Sequence, residues 1–244
     1  MNFKFSKIRV LETGYNTAAL NMAVDEVLMN SVSDVPVLRL YGWKPAAVSI
    51  GYFQSMEEEV DIKKCNHFGI DVVRRMTGGG AVFHDSELTY SFIARKYPQS
   101  IIESYKIICD AIVVSINKLG FDAKFSPLND IVVNGKKVSG NAQTRKKGVL
   151  LQHGTILLNA DVERMFSVLK VSSEKIRDKI ITDVKERVTG LNKTFDEVAS
   201  ALKAGFSEKF GAMLTADNLS KQEEIDAKKL SKNKYAIDKW NFKR

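Results

Sequence analysis

A chain of 244 residues, 44% of them hydrophobic, is long enough for one large α/β domain or one domain with a small appendage. Its net charge of +8 and pI of about 9.3 suit an anionic substrate, an acidic protein or nucleic acid. No apolar run approaches the roughly 20 residues that span a bilayer, and the opening MNFKFSKIRVLE lacks the apolar core of a signal peptide, so a cytoplasmic protein without a membrane partner is expected.

In chain order, Thr17 to Asn30 reads as a helix with Leu20, Val24, Val27 and Leu28 on one face and Asn16 or Thr17 as its cap. Val37 to Tyr41 and Ala47 to Phe53 read as strands. A helix opens at Glu57-Glu-Glu59, where acidic residues suit its dipole, and ends at Gly69. Ile70 to Arg74, Ala81 to His84 and Leu88 to Ala94 are further strands, with the glycine loop Thr77-Gly-Gly-Gly80 among them. Ser100 to Leu119 is a long, largely buried helix. Phe121 to Phe125, Asp130 to Val133 and Val149 to Leu158 are strands, and Asn134-Gly135 marks a hairpin. Helices follow over Asp161 to Leu169, Ser173 to Ile180, Phe195 to Phe210 and Ser220 to Leu230. Hairpins without strict βαβ alternation predict an α+β domain of mixed or antiparallel sheets flanked by helices. No linker divides it, so residues 1–244 are expected to form a single domain, with a core of about 1–192 and a helical segment over 193–244.

Three segments carry chemistry. In Arg74-Arg-Met-Thr-Gly-Gly-Gly-Ala-Val-Phe-His-Asp85, three glycines between strands are costly in backbone entropy and make sense where backbone N–H groups approach an anion. Two arginines before them add charge suited to phosphate or carboxylate. The GK[ST] ending of a Walker A loop is absent. In Leu128 to Gly140, a hairpin would bring Asp130 and Lys137 together, and alternation sends Lys136 and Lys137 to opposite faces. A carboxylate beside a lysine suits Mg–phosphate chemistry. In Leu151 to Leu158, His153-Gly154 within an apolar strand suggests a pocket wall. Taken singly, each segment also admits a structural reading: a tight turn with surface arginines, a solvated hairpin tip, a satisfied core histidine. The two cysteines, Cys65 and Cys109, fall outside all three segments, and neither sits in a metal-type spacing.

Together these segments resemble the lipoate–protein ligase A family, within the biotin/lipoate A/B protein ligase superfamily. RRMTGGGAVFHD is similar to its lipoate-binding loop and NDIVVNGKKVSGNAQ to its lysine-bearing segment. QHGTILLNADVERM is similar to the strand that follows, NTAALNMAVDEVL to the first helix, and Ile180 to Leu191 matches further on. The resemblance covers roughly Leu11 to Asn192. It implies the biotinyl/lipoyl protein ligase catalytic-domain fold, and a ligase that activates lipoate with ATP and Mg²⁺ to lipoyl-AMP and transfers the lipoyl group to a lysine.

Residue by residue, the resemblance implies that Lys137 is catalytic. Arg75, Gly78, Gly79, Gly80, Ala81, Val82 and Phe83 would bind ATP or lipoyl-AMP, joined by Asn129, Asp130, Gly140 and Ala142 and, more weakly, by Arg39. His84, His153, Gly154 and Thr155 would line the lipoate pocket, and the aliphatic chain would lie along Ala81 to Phe83 and Ile156. Asp130 would hold Mg²⁺. Lipoyl domains of 2-oxoacid dehydrogenase E2 subunits and the glycine-cleavage H protein are the implied acceptors.

Only about fifty residues follow Asn192, so the accessory domain common in the family is expected to be absent and a separate accessory subunit is an expected partner, resembling the archaeal-type arrangement. The aromatic tail Tyr235, Trp240 and Phe242 either docks that subunit or packs on its own domain. Two rivals stand beside the ligase. The first is an octanoyl or lipoyl transferase working without ATP; related transferases use a cysteine, and neither Ser126 to Leu128 nor Lys170 to Ser173 contains one. The second is a non-catalytic nucleic-acid-binding module, for which no signature is present. The Thr-Gly-Gly-Gly loop differs from the Gly-Arg-Gly-Arg loop of biotin ligases.

Overall fold

The computed structural model describes residues 3–171 and 177–244. The expected helix from Ser173 therefore begins outside the described residues.

The chain opens with a strand that the sequence reading missed, β1 (Lys7–Asn16), and enters α1 (Ala18–Ser31), where the Thr17 side chain accepts the Leu20 N–H. β2 (Val37–Trp43) and β3 (Ala47–Ile50) follow. The single helix expected from Glu57 to Gly69 is two, α2 (Met56–Glu59) and α3 (Ile62–His67). The break has a cause: Val60 leaves the helix to bridge Leu169, and Asp61 caps the new start by accepting the Lys64 N–H. Then come β4 (Asp71–Arg74), β5 (Val82–His84), β6 (Glu87–Ala94), α4 (Ile101–Lys118), β7 (Ala123–Ser126), β8 (Asp130–Val133), β9 (Lys136–Lys146) and β10 (Val149–Leu157). The chain ends through α5 (Val162–Val168), α6 (Arg177–Arg187), α7 (Phe195–Phe210), β11 (Met213–Asp217), α8 (Lys221–Leu230), a π-helical turn (Ser231–Tyr235) and α9 (Asp238–Asn241).

Eight strands make one sheet in the order β11-β1-β2-β6-β10-β9-β8-β7, and three make a second, β4-β3-β5. In the large sheet β11, β1 and β2 run parallel, and from β2 to β7 every neighbour is antiparallel. This is the α+β, mixed-sheet architecture that the sequence implied.

Period-two alternation gives the large sheet two different faces. Leu38 and Leu40, Leu88, Tyr90 and Phe92, and Leu150 and Ile156 point into an apolar core shared with α4 and α7. The intervening residues, among them Arg39, Thr89, Ser91, His153 and Thr155, form a buried polar face on the side of α1. Ile156 is therefore in the helix-side core and not beside an acyl chain. The apolar core includes tilted and stacked rings of Phe5, Phe92, Phe206 and Phe210. α7 is fixed at both ends, by a Thr194–Glu197 capping box and by Gly211 at φ 61°.

The segment over 193–244 is mainly helical, through α7, α8 and α9, and also supplies a strand. β11 extends the main sheet, and Tyr235 is fully buried while Trp240 and Phe242 pack against the same domain. The aromatic tail thus covers its own chain. Its anchor is Arg74, whose guanidinium donates to the carbonyls of Gly51, Tyr52, Gln54, Trp240 and Asn241. The Arg74 N–H donates to Asn241 Oδ1, and Trp240 Nε1 donates back to the Arg74 carbonyl.

α4 and α7 meet closely at Gly205, where an added Cβ would lie 2.1 Å from Ser115 Oγ and 2.7 Å from the Ala111 carbonyl. Gly205→Ala should therefore destabilise the fold by about 1–3 kcal/mol despite alanine's better helix propensity. Urea denaturation reads this as a lower midpoint at unchanged slope; a stabilised variant would contradict the close approach.

Candidate active site

A cavity of about 320 Å³ lies over the polar face of the large sheet, in the size range of small-molecule sites. The strands β2, β6 and β10 form its floor with Tyr41 and Trp43, Thr89, and His153, Gly154 and Thr155. The small sheet and the glycine loop form one wall, through Ser49, Arg75, Gly79, Gly80 and Ala81 to His84. The β8–β9 hairpin forms the lip, with Asn129, Lys137, Gly140, Asn141 and Ala142. Most of the residues expected from sequence are thus brought together. Gly78 and Asp130 stand just behind the lining, Gly78 in the loop and Asp130 on Lys137.

The lysine pair resolves as alternation predicted. Lys137 faces the cavity and Lys136 is exposed on the other side. Lys137 Nζ lies 2.8 Å from Asp130 Oδ1, with both side chains partly open to solvent. Gly140 makes room for them, since a Cβ there would meet Lys137 Nζ at 2.9 Å. Asn129 and Asn141 tie the hairpin base together: each donates its side-chain amide to the other's carbonyl, and Tyr90 Oη donates to Asn141 Oδ1.

Arg39 is a correction. Its guanidinium is fully buried and spent on Thr13, Asn21 and Asp25. It is no part of the cavity wall; alternation puts it under α1, where it neutralises Asp25. Burial pushes the Asp25 carboxyl up, but Arg39, His153 and Ser91 outweigh that and hold it below the ordinary carboxylate value. His153 is pulled down by burial, against the raising effect of Asp25, so the ring is neutral at pH 7. It then donates Nδ1–H to Asp25 and accepts Thr77 Oγ1–H at Nε2. The His84 ring lies between Glu87 Oε1 and Ser49 Oγ, each at 2.7 Å, with Trp43 stacked on it at 3.9 Å.

Among the described residues, the amides of Gly78, Gly79 and Gly80 donate to no protein acceptor, while Arg75 holds the carbonyls of Gly78 and Gly80. The loop therefore presents donors, the Lys137 ammonium adds charge, and the pair fits a phosphate or carboxylate. No group of three or more His, Cys, Asp or Glu is placed to hold a metal among the described residues. Asp130 is the one lip carboxylate, which fits Mg²⁺ only in its usual mode of one or two protein carboxylates completed by substrate phosphates.

Neither thiol reaches the site. Cys65 and Cys109 are wholly buried, and burial pushes them up to about 11 and about 12, far from a reactive thiolate. The stretch from Ser126 to Leu128 is cysteine-free, and the second candidate stretch, Lys170 to Ser173, ends outside the described residues. Sequence reasoning missed Met22, Tyr41, Trp43, Ser49, Thr89, Asn141, Leu157, Met165 and Val188 in the lining. Period two from His153 would have found Leu157, and period two from Arg39 would have found Tyr41 and Trp43.

Residues 17–207 match the family model of the lipoyl protein ligase A/B catalytic domain. The chain is 40% identical to octanoyltransferase LipM of Kyrpidia tusciae, over 97% of this chain and 98% of that protein. It is 37% identical to octanoyltransferase LipM of Bacillus subtilis at the same coverage. Among solved structures it is similar to a bi-partite lipoate protein ligase, solved in work on that enzyme and its E2 lipoyl domain from Thermoplasma acidophilum (36% identity, TM-score 0.90, 98% of this chain and 96% of that one). A lipoate-protein ligase A bound with ATP also matches (33% identity, TM-score 0.86, 98% and 99%).

The histidine at the cavity floor makes stability pH-dependent. Its folded value lies below the ordinary 6.5, so on acidification the unfolded chain takes up a proton that the folded protein refuses. The contribution is complete above that value and is lost as pH falls below it; Asp25, held below 3.8, extends the loss to lower pH. Thermal midpoints taken between roughly pH 7 and pH 5 should fall less steeply for His153→Gln than for the parent chain. Parallel curves would mean that His153 is not buried neutral.

Proposed function

Because the chain belongs to the lipoyl protein ligase A/B catalytic domain family, we propose that it loads a lipoyl or octanoyl group onto a lysine of an acceptor protein. It is an enzyme of the lipoate ligase and transferase superfamily, concerned with lipoylation. Two routes to the activated acyl group separate the finer readings.

The names of the curated relatives fit the transferase reading better than the ligase reading, and at 40% identity over nearly the whole chain that weight is real. Acyl transfer through a protein thioester requires a nucleophilic thiol in the site. The observation that carries our reading is that the described cavity has a lysine and a glycine loop where such a thiol would be needed, and that both cysteines are buried outside it. We therefore favour activation by ATP. The acyl carboxylate attacks the α-phosphorus, the bond to pyrophosphate breaks, and the acyl-adenylate stays bound. The acceptor amine then attacks the acyl carbon, losing a proton, and AMP leaves.

In that scheme Lys137 offsets charge on the α-phosphate and the acyl oxygen, the Gly78 to Gly80 amides hold the anionic end, and Asn129 and the Gly140 to Ala142 backbone border the nucleotide. The acyl chain lies along Ala81 to Phe83, Trp43 and Leu157. Asp130 would hold Mg²⁺, which would screen the triphosphate. Lipoyl domains of E2 subunits or the H protein are the acceptors we favour, with an accessory subunit as a possible requirement for the first step. The basic net charge suits an acidic acceptor.

Mass spectrometry of a lipoyl domain tests both routes in one experiment. With lipoate or octanoate, ATP and Mg²⁺, the acceptor should gain one acyl group, and Lys137→Ala should cut the rate by at least about 10²-fold. Cys65→Ser and Cys109→Ser should leave the rate unchanged. Modification from an octanoyl thioester without ATP, and none with ATP, would establish the transferase reading instead. Adding supplied acyl-adenylate separates an absent accessory subunit from an inactive site.

A further inference from the structure

Arg75 is a buried guanidinium that no carboxylate touches among the described residues, and burial pulls it down to about 10. All five of its N–H donors are nevertheless used. Nε donates to Thr77 Oγ1, Nη1 to the Ser49 carbonyl and Oγ, and Nη2 to the Gly78 and Gly80 carbonyls. Beyond the two hydroxyls the bonds continue. Thr77 Oγ1 is 2.7 Å from His153 Nε2, and His153 Nδ1 is 3.3 Å from Asp25 Oδ2. Ser49 Oγ is 2.7 Å from His84 Nε2, and His84 Nδ1 is 2.7 Å from Glu87 Oε1. Two hydroxyl–histidine–carboxylate relays thus converge on one guanidinium.

We propose that Asp25 and Glu87 are positioning residues that act through these relays on Arg75, and through Arg75 set the glycine loop in the shape that receives the anionic end of the substrate. Neither relay is a nucleophilic triad, because Thr77 and Ser49 are wholly buried and their oxygens are occupied by the guanidinium and an imidazole. The distance of the acids is the functional point. A carboxylate directly on Arg75 would cancel its charge and repel an anionic substrate. Three hydrogen bonds away, it fixes each imidazole tautomer and each hydroxyl rotor, which fixes the plane of the guanidinium, while the cavity keeps a positive wall. Arg75 in turn determines where the loop carbonyls go, and so which way its amides face. The loop has little freedom of its own: Gly79 sits at φ 93°, and a Cβ there would meet Arg75 Nη2 at 3.0 Å. The link to turnover rests on the acyl-transfer reading; the link to loop geometry does not.

The test uses ¹⁵N-glycine-labelled protein. In Glu87→Gln and in Asp25→Asn, the amide resonances of Gly78, Gly79 and Gly80 should shift or broaden, while Gly135 and Gly211 stay in place. In the acyl-transfer assay kcat should fall about 10²-fold, the scale of a small misplacement of reacting groups, with KM for the acceptor unchanged. Folded variants whose loop resonances do not move would overturn the proposal, whatever their stability. Should Asp25→Asn fail to fold because Arg39 loses its carboxylate, the Asp25→Asn, Arg39→Gln double variant removes both charges together and is held to the same readout. An inactive parent enzyme with every acyl donor would overturn the acyl-transfer reading, and the glycine resonances would still decide this one.

Discussion

A carboxylate sealed from water between a helix and a sheet must be met from every side, and Asp25 imposes that condition here. It is supplied by Arg39 and Tyr41 from β2, Ser91 from β6 and His153 from β10. Three neighbouring strands and α1 are thereby held to one register, because a slip of one residue would turn each partner to the other face. Losing a single partner of a buried pair typically costs about 3–5 kcal/mol, which makes this polar knot a stronger statement about register than any apolar contact around it. The cavity inherits its floor from the same strands, so the geometry of the site and the alignment of the sheet are one problem.

Close approach is the second constraint. Gly51 lies so near the glycine loop that a Cβ would fall 2.0 Å from the Gly79 carbonyl, and at Gly154 a Cβ would fall 2.1 Å from Asn141 Oδ1. These glycines, with Gly140 under Lys137, bring three pieces of backbone together around the cavity. Charge and hydrogen bonding inside such a space act at lower dielectric than at a surface. That is the setting in which one ammonium and a few amides can organise an anion.

The parts of this arrangement that were legible in sequence were those written locally. The Thr17 cap, the Asn134-Gly135 turn, the glycine loop and the opposite facing of Lys136 and Lys137 depend on neighbours within a few positions, and they stand as read. What failed depended on partners far away. β1 pairs with β11 on one side and β2 on the other, and the mixed, half-exposed sequences of β1 and β11 carry little period-two signal of their own. Arg39 looked like a ligand because sequence shows charge but not the acid waiting across the interface. Ile156 sits one residue from a cavity-lining threonine, and one residue is all that separates the two faces of a strand. The relay acids, Asp25 and Glu87, come from a helix and a strand end that no motif joins.

Arg74 and Arg75 are adjacent in sequence yet hold different parts of the chain. Arg75 grips the loop beside it, whereas Arg74 is clamped by carbonyls about 166 residues further on. Vectorial synthesis gives that span a meaning. While the ribosome is still making the second half of the chain, Arg74 can place only Nη1, on the Gly51, Tyr52 and Gln54 carbonyls, its Nε and Nη2 donors wait for Trp240 and Asn241, and the sheet lacks the edge that β11 supplies. A nascent chain can therefore assemble the floor of the cavity and the grip of Arg75 on the loop before the strand that leads into the loop is fully anchored. That last anchoring waits for the segment around Trp240 and Asn241, and truncated translation products would carry the loop on a strand held from one side only.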